Sequence, residues 1–422
     1  MGESVINDSN KKENKIVITL LAISVFFLPM LQIVPIICWG VLGLFSILKG
    51  DFRNFWSRLF NSPFYLALIG LYLFYFVGML WTEHYDLGWE DLTIKLPLLF
   101  FPFLFLTLPI TLHSYKLIRK SLIGGCLTAG LICFGKAFQH YSLNKDLQDF
   151  YYTTFSILLH PTYFTQYVSL AVLFMLQILF EKENRKPLYY VGNCLLFFTL
   201  VILVIILNAR IAMLTTFVAM ILYSIMENKK HGTFLKSLPK MVGGGVVILF
   251  LFFSLIKVYN RFTQISDVIE KHPDVTALVD TVNHVGYNST TIRIGLLKNG
   301  LDIWKNNFWF GVGTGDVIPE TVANLHKHGL NVLAEKGKGA HNQYLQTAVT
   351  LGVFAFLFLF FSLIIPGVRF FKLQEYLFLS FIVIVAINAI GDTILRASAL
   401  YFFTFFGCYF YKLSYLFPNK TS

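Results

Sequence analysis

Apolar residues run in long stretches along this chain, such as 16–48, 189–207 and 246–256, divided by short polar connections. Runs approaching ~20 residues are long enough to cross a hydrocarbon core as helices. Backbone in lipid must satisfy its own hydrogen bonds, so such runs are helical unless they close a barrel, and the strict alternation of a barrel is absent. Hydropathy predicts spans at roughly 16–30, 33–48, 63–81, 93–109, 120–138, 160–180, 188–207, 211–226, 241–257, 343–365, 373–391 and 397–413. The expected fold class is therefore an all-α integral membrane protein with about 12 transmembrane helices. One large hydrophilic stretch falls between the ninth and tenth. This divides the chain into a first membrane region (1–257), an outer loop (258–342) and a second membrane region (343–422).

Local punctuation refines the pattern. Residues 16–48 are too long for one ordinary span, and Pro29 and Pro35 bracket a tight turn between two short helices. One long kinked helix is the alternative, and it would invert every later connection. Asn208-Ala209-Arg210 is a very tight turn between two spans. Inside the outer loop, residues 290–306 read as an amphipathic helix, with Ile292, Leu296, Leu297, Leu301 and Trp304 near helical spacing. Asn306-Asn307 and the glycines of Gly311-Val312-Gly313-Thr314-Gly315 break it. Trp304, Phe308, Trp309 and Phe310 suit the water–lipid boundary.

Composition agrees with a membrane chain. Of 422 residues, 56% are hydrophobic and only 14% charged, too little polar surface for a soluble protein of this length. The net charge of +11 invites a nucleic-acid reading, but its placement argues against one. Lys49, Arg53, Arg58, Lys116, Arg119, Lys120, Lys186, Lys229, Lys230, Arg369, Lys372 and Lys412 all fall on the side that holds both termini. The opposite short connections carry little positive charge, and Thr82–Leu92 holds Glu83, Asp86, Glu90 and Asp91. The positive-inside rule then places both termini in the cytoplasm and the large loop outside, with no nucleic-acid partner. The cysteines (Cys38, Cys126, Cys133, Cys194 and Cys408) lie in or near spans, so the outer loop is not held by disulfides. No small-residue cleavage site follows the polar N-terminus, so residues from Ile16 read as a retained first helix.

Ionisable groups at the membrane boundary are the candidates for chemistry. Arg210 lies at the outer end of two apolar runs, where its guanidinium either binds a phosphate-bearing lipid through forked hydrogen bonds or reaches to headgroups. Arg293 opens the amphipathic helix, either as a site residue or as a solvated charge. His341 closes the outer loop just before a span, where an imidazole accepts a proton from a hydroxyl near neutral pH or simply ends a helix. Lys136 and Arg396 stand near span ends, where a shifted boundary would move them inward. The acidic stretch would hold a divalent metal or stand as a solvated loop. His326 and His328 lack a second ligand pair, and the glycine run lacks the Gly-Lys-Ser/Thr ending of a phosphate loop.

Taken together, Arg293, Trp304, Phe308-Trp309-Phe310, the glycine run, and Ala340-His341-Asn342-Gln343-Tyr344-Leu345-Gln346 followed by Gly352 resemble the O-antigen ligase and polymerase superfamily. Ala355 departs from it, since many relatives carry a second glycine there. The motif-level resemblance covers about residues 200–355. It implies a GT-C-like fold and a metal-independent, inverting glycosyltransferase of lipopolysaccharide biosynthesis in a bacterial inner membrane. It further implies transfer of a glycan from an undecaprenyl diphosphate carrier to an acceptor hydroxyl such as that of lipid A–core, without a cofactor. It implies catalytic roles for His341, Arg293 and Arg210, and substrate contacts by Arg210, Arg293, Asn342, Tyr344, Lys95 and His160. A polymerase of O-antigen or capsule repeat units, a protein O-oligosaccharyltransferase and a non-catalytic glycan-lipid transporter are the alternatives. A transporter would place polar groups near the bilayer midplane.

Overall fold

The structure, a computed structural model, describes residues 2–181, 187–231, 289–335 and 339–416. The expected span at 241–257 and the first part of the outer loop lie outside the described residues. What is described is helical, with no strand among the described residues. The expected two-helix start is present: α1 (Gly2–Phe27) and α2 (Ile33–Lys49) meet at a turn holding Pro29. Pro35 sits in the first turn of α2, where its missing amide costs no intrahelical bond. A short α3 (Phe55–Phe60) leads into α4 (Pro63–Val77).

The next expected span, 93–109, is corrected by the structure. The acidic stretch is not a loop but most of a helix, α5 (Tyr85–Lys95), and Pro97 starts a separate α6 (Pro97–Thr107). Proline has no amide to continue α5. At 11 residues α6 is roughly 16 Å long, short of the ~30 Å core. In contrast α7 (Leu112–Asn144) runs 33 residues, well beyond the predicted 120–138. After the short α8 (Tyr152–Phe155) come α9 (Pro161–Phe180), α10 (Pro187–Leu207) and α11 (Arg210–His231). The described part of the expected outer loop contributes α12 (Ser289–Asn306), α13 (Val317–Lys327) and α14 (Asn331–Ala334). The bundle closes with α15 (Gln343–Lys372), α16 (Tyr376–Gly391) and α17 (Ala397–Leu413).

Among the described residues, six helices are long and apolar enough to cross a membrane: Pro63–Trp81, Leu112–Asn144, Pro161–Phe180, Pro187–Leu207, Arg210–Lys230 and Gln343–Lys372. Lys15–Phe27, Ile33–Lys49 and Tyr376–Gly391 are shorter apolar helices. The protein is thus a multi-pass α-helical membrane protein. Contacts between connections sort into two groups, as alternating crossings require. At one end Arg58 meets Asp51, Tyr415 donates to the Asn61 carbonyl, Lys230 to the Gln374 carbonyl, and Arg369 Nε to Ser414 Oγ. At the other, Gln32 bonds Ser398, Asp316 meets His84, and His341 meets Asp392.

The outer-loop helix predicted at 290–306 is present as α12. Its Ile294 and Leu296 pack with Leu325, Leu330 and Leu333 in a small core of their own. Farther along, Ile303 joins Val317, Ala340, Leu345 and Val349, which fastens this subdomain to α15. Trp309 and Phe310 stay exposed beside Phe354, and Phe310 also meets Trp81. That aromatic strip has the composition of a water–lipid boundary.

Candidate functional site

The glycine run does more than end α12. Within α15, Gly352 has φ 75° and ψ −169°, and the helix breaks there. The break frees the Val349 and Thr350 carbonyls, which accept the Val312 and Gly313 amides at 2.9 and 3.0 Å; the Val353 amide donates to the Phe308 carbonyl at 3.0 Å. A Cβ at Gly352 would stand 2.0 Å from the Trp309 carbonyl oxygen, so only glycine permits this interlock. The amides that a phosphate loop would offer to a ligand are spent here on chain packing. Continuing from the run, Thr314 Oγ1 donates to the Tyr75 carbonyl at 2.6 Å. The Asp316 carboxylate accepts the Glu83 and His84 amides at 2.8 and 2.9 Å and meets His84 Nδ1 at 2.7 Å. This subdomain is therefore clasped to both α15 and the start of α5.

Those contacts frame a cavity of about 370 Å³. Tyr75, Glu90, Asp91 and Lys95 form one wall, Thr314 and Gly315 another, and His341, Gln343, Gln346 and Thr350 a third. Thr393, Leu395 and Arg396, from the connection between α16 and α17, close it. His341 adopts φ 49°, uncommon for a residue with a side chain, just before Asn342 caps α15. Its Nδ1 lies 3.8 Å from Asp392 Oδ1, and that carboxylate oxygen also accepts the Thr393 amide at 2.8 Å. Gln343 Oε1 accepts the Leu395 amide at 2.9 Å, which ties the start of α15 to the same connection. Lys95 is buried against Asp91, its Nζ 2.5 Å from Oδ2 and 4.4 Å from the centre of the Tyr75 ring. Among the described residues no three His, Cys, Asp or Glu side chains converge as metal ligands would.

The residues expected from the sequence divide accordingly. His341 and Lys95 line the cavity. Asn342 and Tyr344 lie beside it with their polar atoms engaged: Asn342 Oδ1 accepts the Leu345 amide, and the Tyr344 hydroxyl donates to the Ala386 carbonyl, both at 3.0 Å. His160 is exposed at the start of α9, where Nδ1 accepts the Thr162 amide and the ring meets Tyr163. Arg210 and Arg293 are both exposed and outside the cavity lining. The structure does not bring either arginine to the cavity wall beside His341. Ile211, next to Arg210, packs on Gly391, one residue before Asp392. Arg293 lies about 10 Å along α12 from Gly300, which packs on Leu345 and Ala340. Lys136 lies exposed on α7, its Nζ 3.2 Å from Gln139 Oε1.

Sequence reasoning missed Asp392. A carboxylate between two apolar segments within Gly391-Asp392-Thr393 was the available signal, since an ionisable group beside membrane spans is costly. Arg396 stood out only as a residue near a span end.

No curated protein matches the chain. Residues 195–360, from α10 to within α15, match the family model described as O-antigen ligase. That segment carries Arg210, Arg293 and His341, so over its length the chain is O-antigen ligase-like.

Proposed function

We propose that this protein transfers an oligo- or polysaccharide from an undecaprenyl diphosphate carrier to an acceptor hydroxyl, with lipid A–core as the acceptor. The single observation that carries the reading is His341, which lies inside the family-matched segment and lines a cavity of about 370 Å³. In this reading the chain makes about twelve crossings of a bacterial inner membrane, with both termini cytoplasmic and residues 258–342 outside. The bias of Lys and Arg toward one side supports it.

The chemistry balances without a cofactor. His341 takes the proton of the acceptor hydroxyl. The acceptor oxygen bonds to the anomeric carbon from the face opposite the diphosphate, and the carbon–oxygen bond to the diphosphate breaks with its electron pair leaving on phosphate. The anomeric configuration inverts. Asp392 Oδ1, 3.8 Å from Nδ1, faces the imidazole and stabilises the positive charge it gains. Arg210 and Arg293, exposed and without an ion pair among the described residues, hold the diphosphate as its negative charge grows. Cationic groups fixed at a low-dielectric boundary do this work far better than water.

A deletion strain tests the function through its lipopolysaccharide on a gel. Loss of all long chains, with carrier-linked polymer accumulating, is the expected result. Core bearing one repeat unit would instead mark a polymerase, and an unchanged ladder would sink both.

A further inference from the structure

Arg396 belongs to none of the roles above, yet it lines the same cavity as His341 and Lys95. It is exposed and makes no hydrogen bond or ion pair among the described residues. The charges around it are Lys95, Asp91 and Glu90 from α5, His341 before α15, Asp392 on its own connection, and the Tyr163 hydroxyl from α9. Each nearby carboxylate is engaged or too distant. Asp91 neutralises Lys95 at 2.5 Å, Asp392 faces His341 and accepts the Thr393 amide, and Glu90 lies beyond ion-pair distance. Lys95 and Arg396 are also within electrostatic reach of one another. Two cations lining one cavity repel, and the Asp91 carboxylate compensates only the lysine. An oxyanion entering the cavity would resolve that imbalance, and a guanidinium takes phosphate through two parallel hydrogen bonds.

We propose that Arg396 is an anion-binding residue of the cavity, taking a phosphate-type group of a substrate. This rests on the cavity being the reaction site. The phosphate has two possible sources, the diphosphate of the donor or a phosphate substituent on the acceptor glycan beside its reacting hydroxyl.

The test uses full-length protein in lipid nanodiscs, with Arg396→Gln and Arg396→Lys, each checked for wild-type melting and elution. Inorganic pyrophosphate is titrated by thermal shift, and KM is measured separately for donor lipid and for acceptor. Loss of one charge-assisted phosphate contact corresponds to about ten- to a hundredfold. If the anion is the donor's, Arg396→Gln weakens pyrophosphate binding and raises the donor KM by that factor. If it is the acceptor's, only the acceptor KM rises, and the difference from wild type vanishes with enzymatically dephosphorylated acceptor. Arg396→Lys keeps the charge without the fork and falls between. Unchanged pyrophosphate binding together with unchanged KM values overturns the proposal, as does an acceptor effect that survives dephosphorylation. Failure of the underlying reading looks different: His341→Ala would then turn over normally, while the pyrophosphate titration still reports on Arg396.

Discussion

Gly352→Ala should loosen the α12–α14 subdomain from the bundle. The backbone at Gly352 occupies a region essentially reserved for glycine, which costs about 1–3 kcal/mol for a residue with a Cβ. The added methyl would also sit 2.0 Å from the Trp309 carbonyl oxygen, so the 308–313 segment must move. Moving it breaks the bonds from Val312 to Val349, Gly313 to Thr350 and Val353 to Phe308. Three such bonds contribute roughly 0.5–1.5 kcal/mol each, so the total destabilisation is about 3–7 kcal/mol. Thermal unfolding of purified protein in detergent, followed by tryptophan fluorescence, reads the effect, and limited proteolysis reports release of the loop. Gly135→Ala is the matched control. It lies inside α7, and a methyl added there would meet nothing within 4 Å, so the change should be neutral or stabilise by about 0.5–1 kcal/mol. A Gly352→Ala protein that melts with wild type and resists protease equally would refute the interlock.

Asp316→Ala removes the acceptor of three hydrogen bonds at residues 83 and 84 and should cost about 2–4 kcal/mol, with new proteolysis near Thr82; an intact cleavage pattern would contradict this. Removing either Lys95 or Asp91 alone should destabilise by about 3–5 kcal/mol, because the partner is left as a largely buried, uncompensated charge. Lys95→Met combined with Asp91→Leu should recover most of that in a melting assay, and an additive loss would count against the pair. In the α12–α14 subdomain, the hydrogen bond from Asn324 and then His328 hold the Asp302 carboxyl below its usual range. A depressed carboxylate stabilises the fold above its unfolded pKa, and that contribution is lost as pH falls through the lower folded value. Asp302→Asn should therefore flatten the acid side of the stability–pH curve slightly, given its partial exposure, and an identical curve would argue against the pairing.

Much of the architecture follows from local rules. Apolar runs must be helical in lipid, Pro29 and Pro35 frame a turn, and the spacing of Ile292 to Trp304 marks α12 before any contact is known. The division of α5 from α6 was also written locally, in Pro97, but hydropathy averages across a proline, so the expected span takes in the end of α5 with all of α6, and the rest of α5 reads as a loop. His341 stood out only through the resemblance of the motif around it, since taken alone a loop-end imidazole reads as readily as the end of a helix. The role of the glycine run was not legible, because its amides pair with carbonyls about forty residues away that become free only when α15 breaks at Gly352. Nor could sequence spacing bring Asp392 and Arg396 to His341, or Lys95 to the same cavity. Those approaches depend on how α5, α15 and the α16–α17 connection pack, and helix packing is set by side-chain shape across the whole bundle rather than by any local pattern.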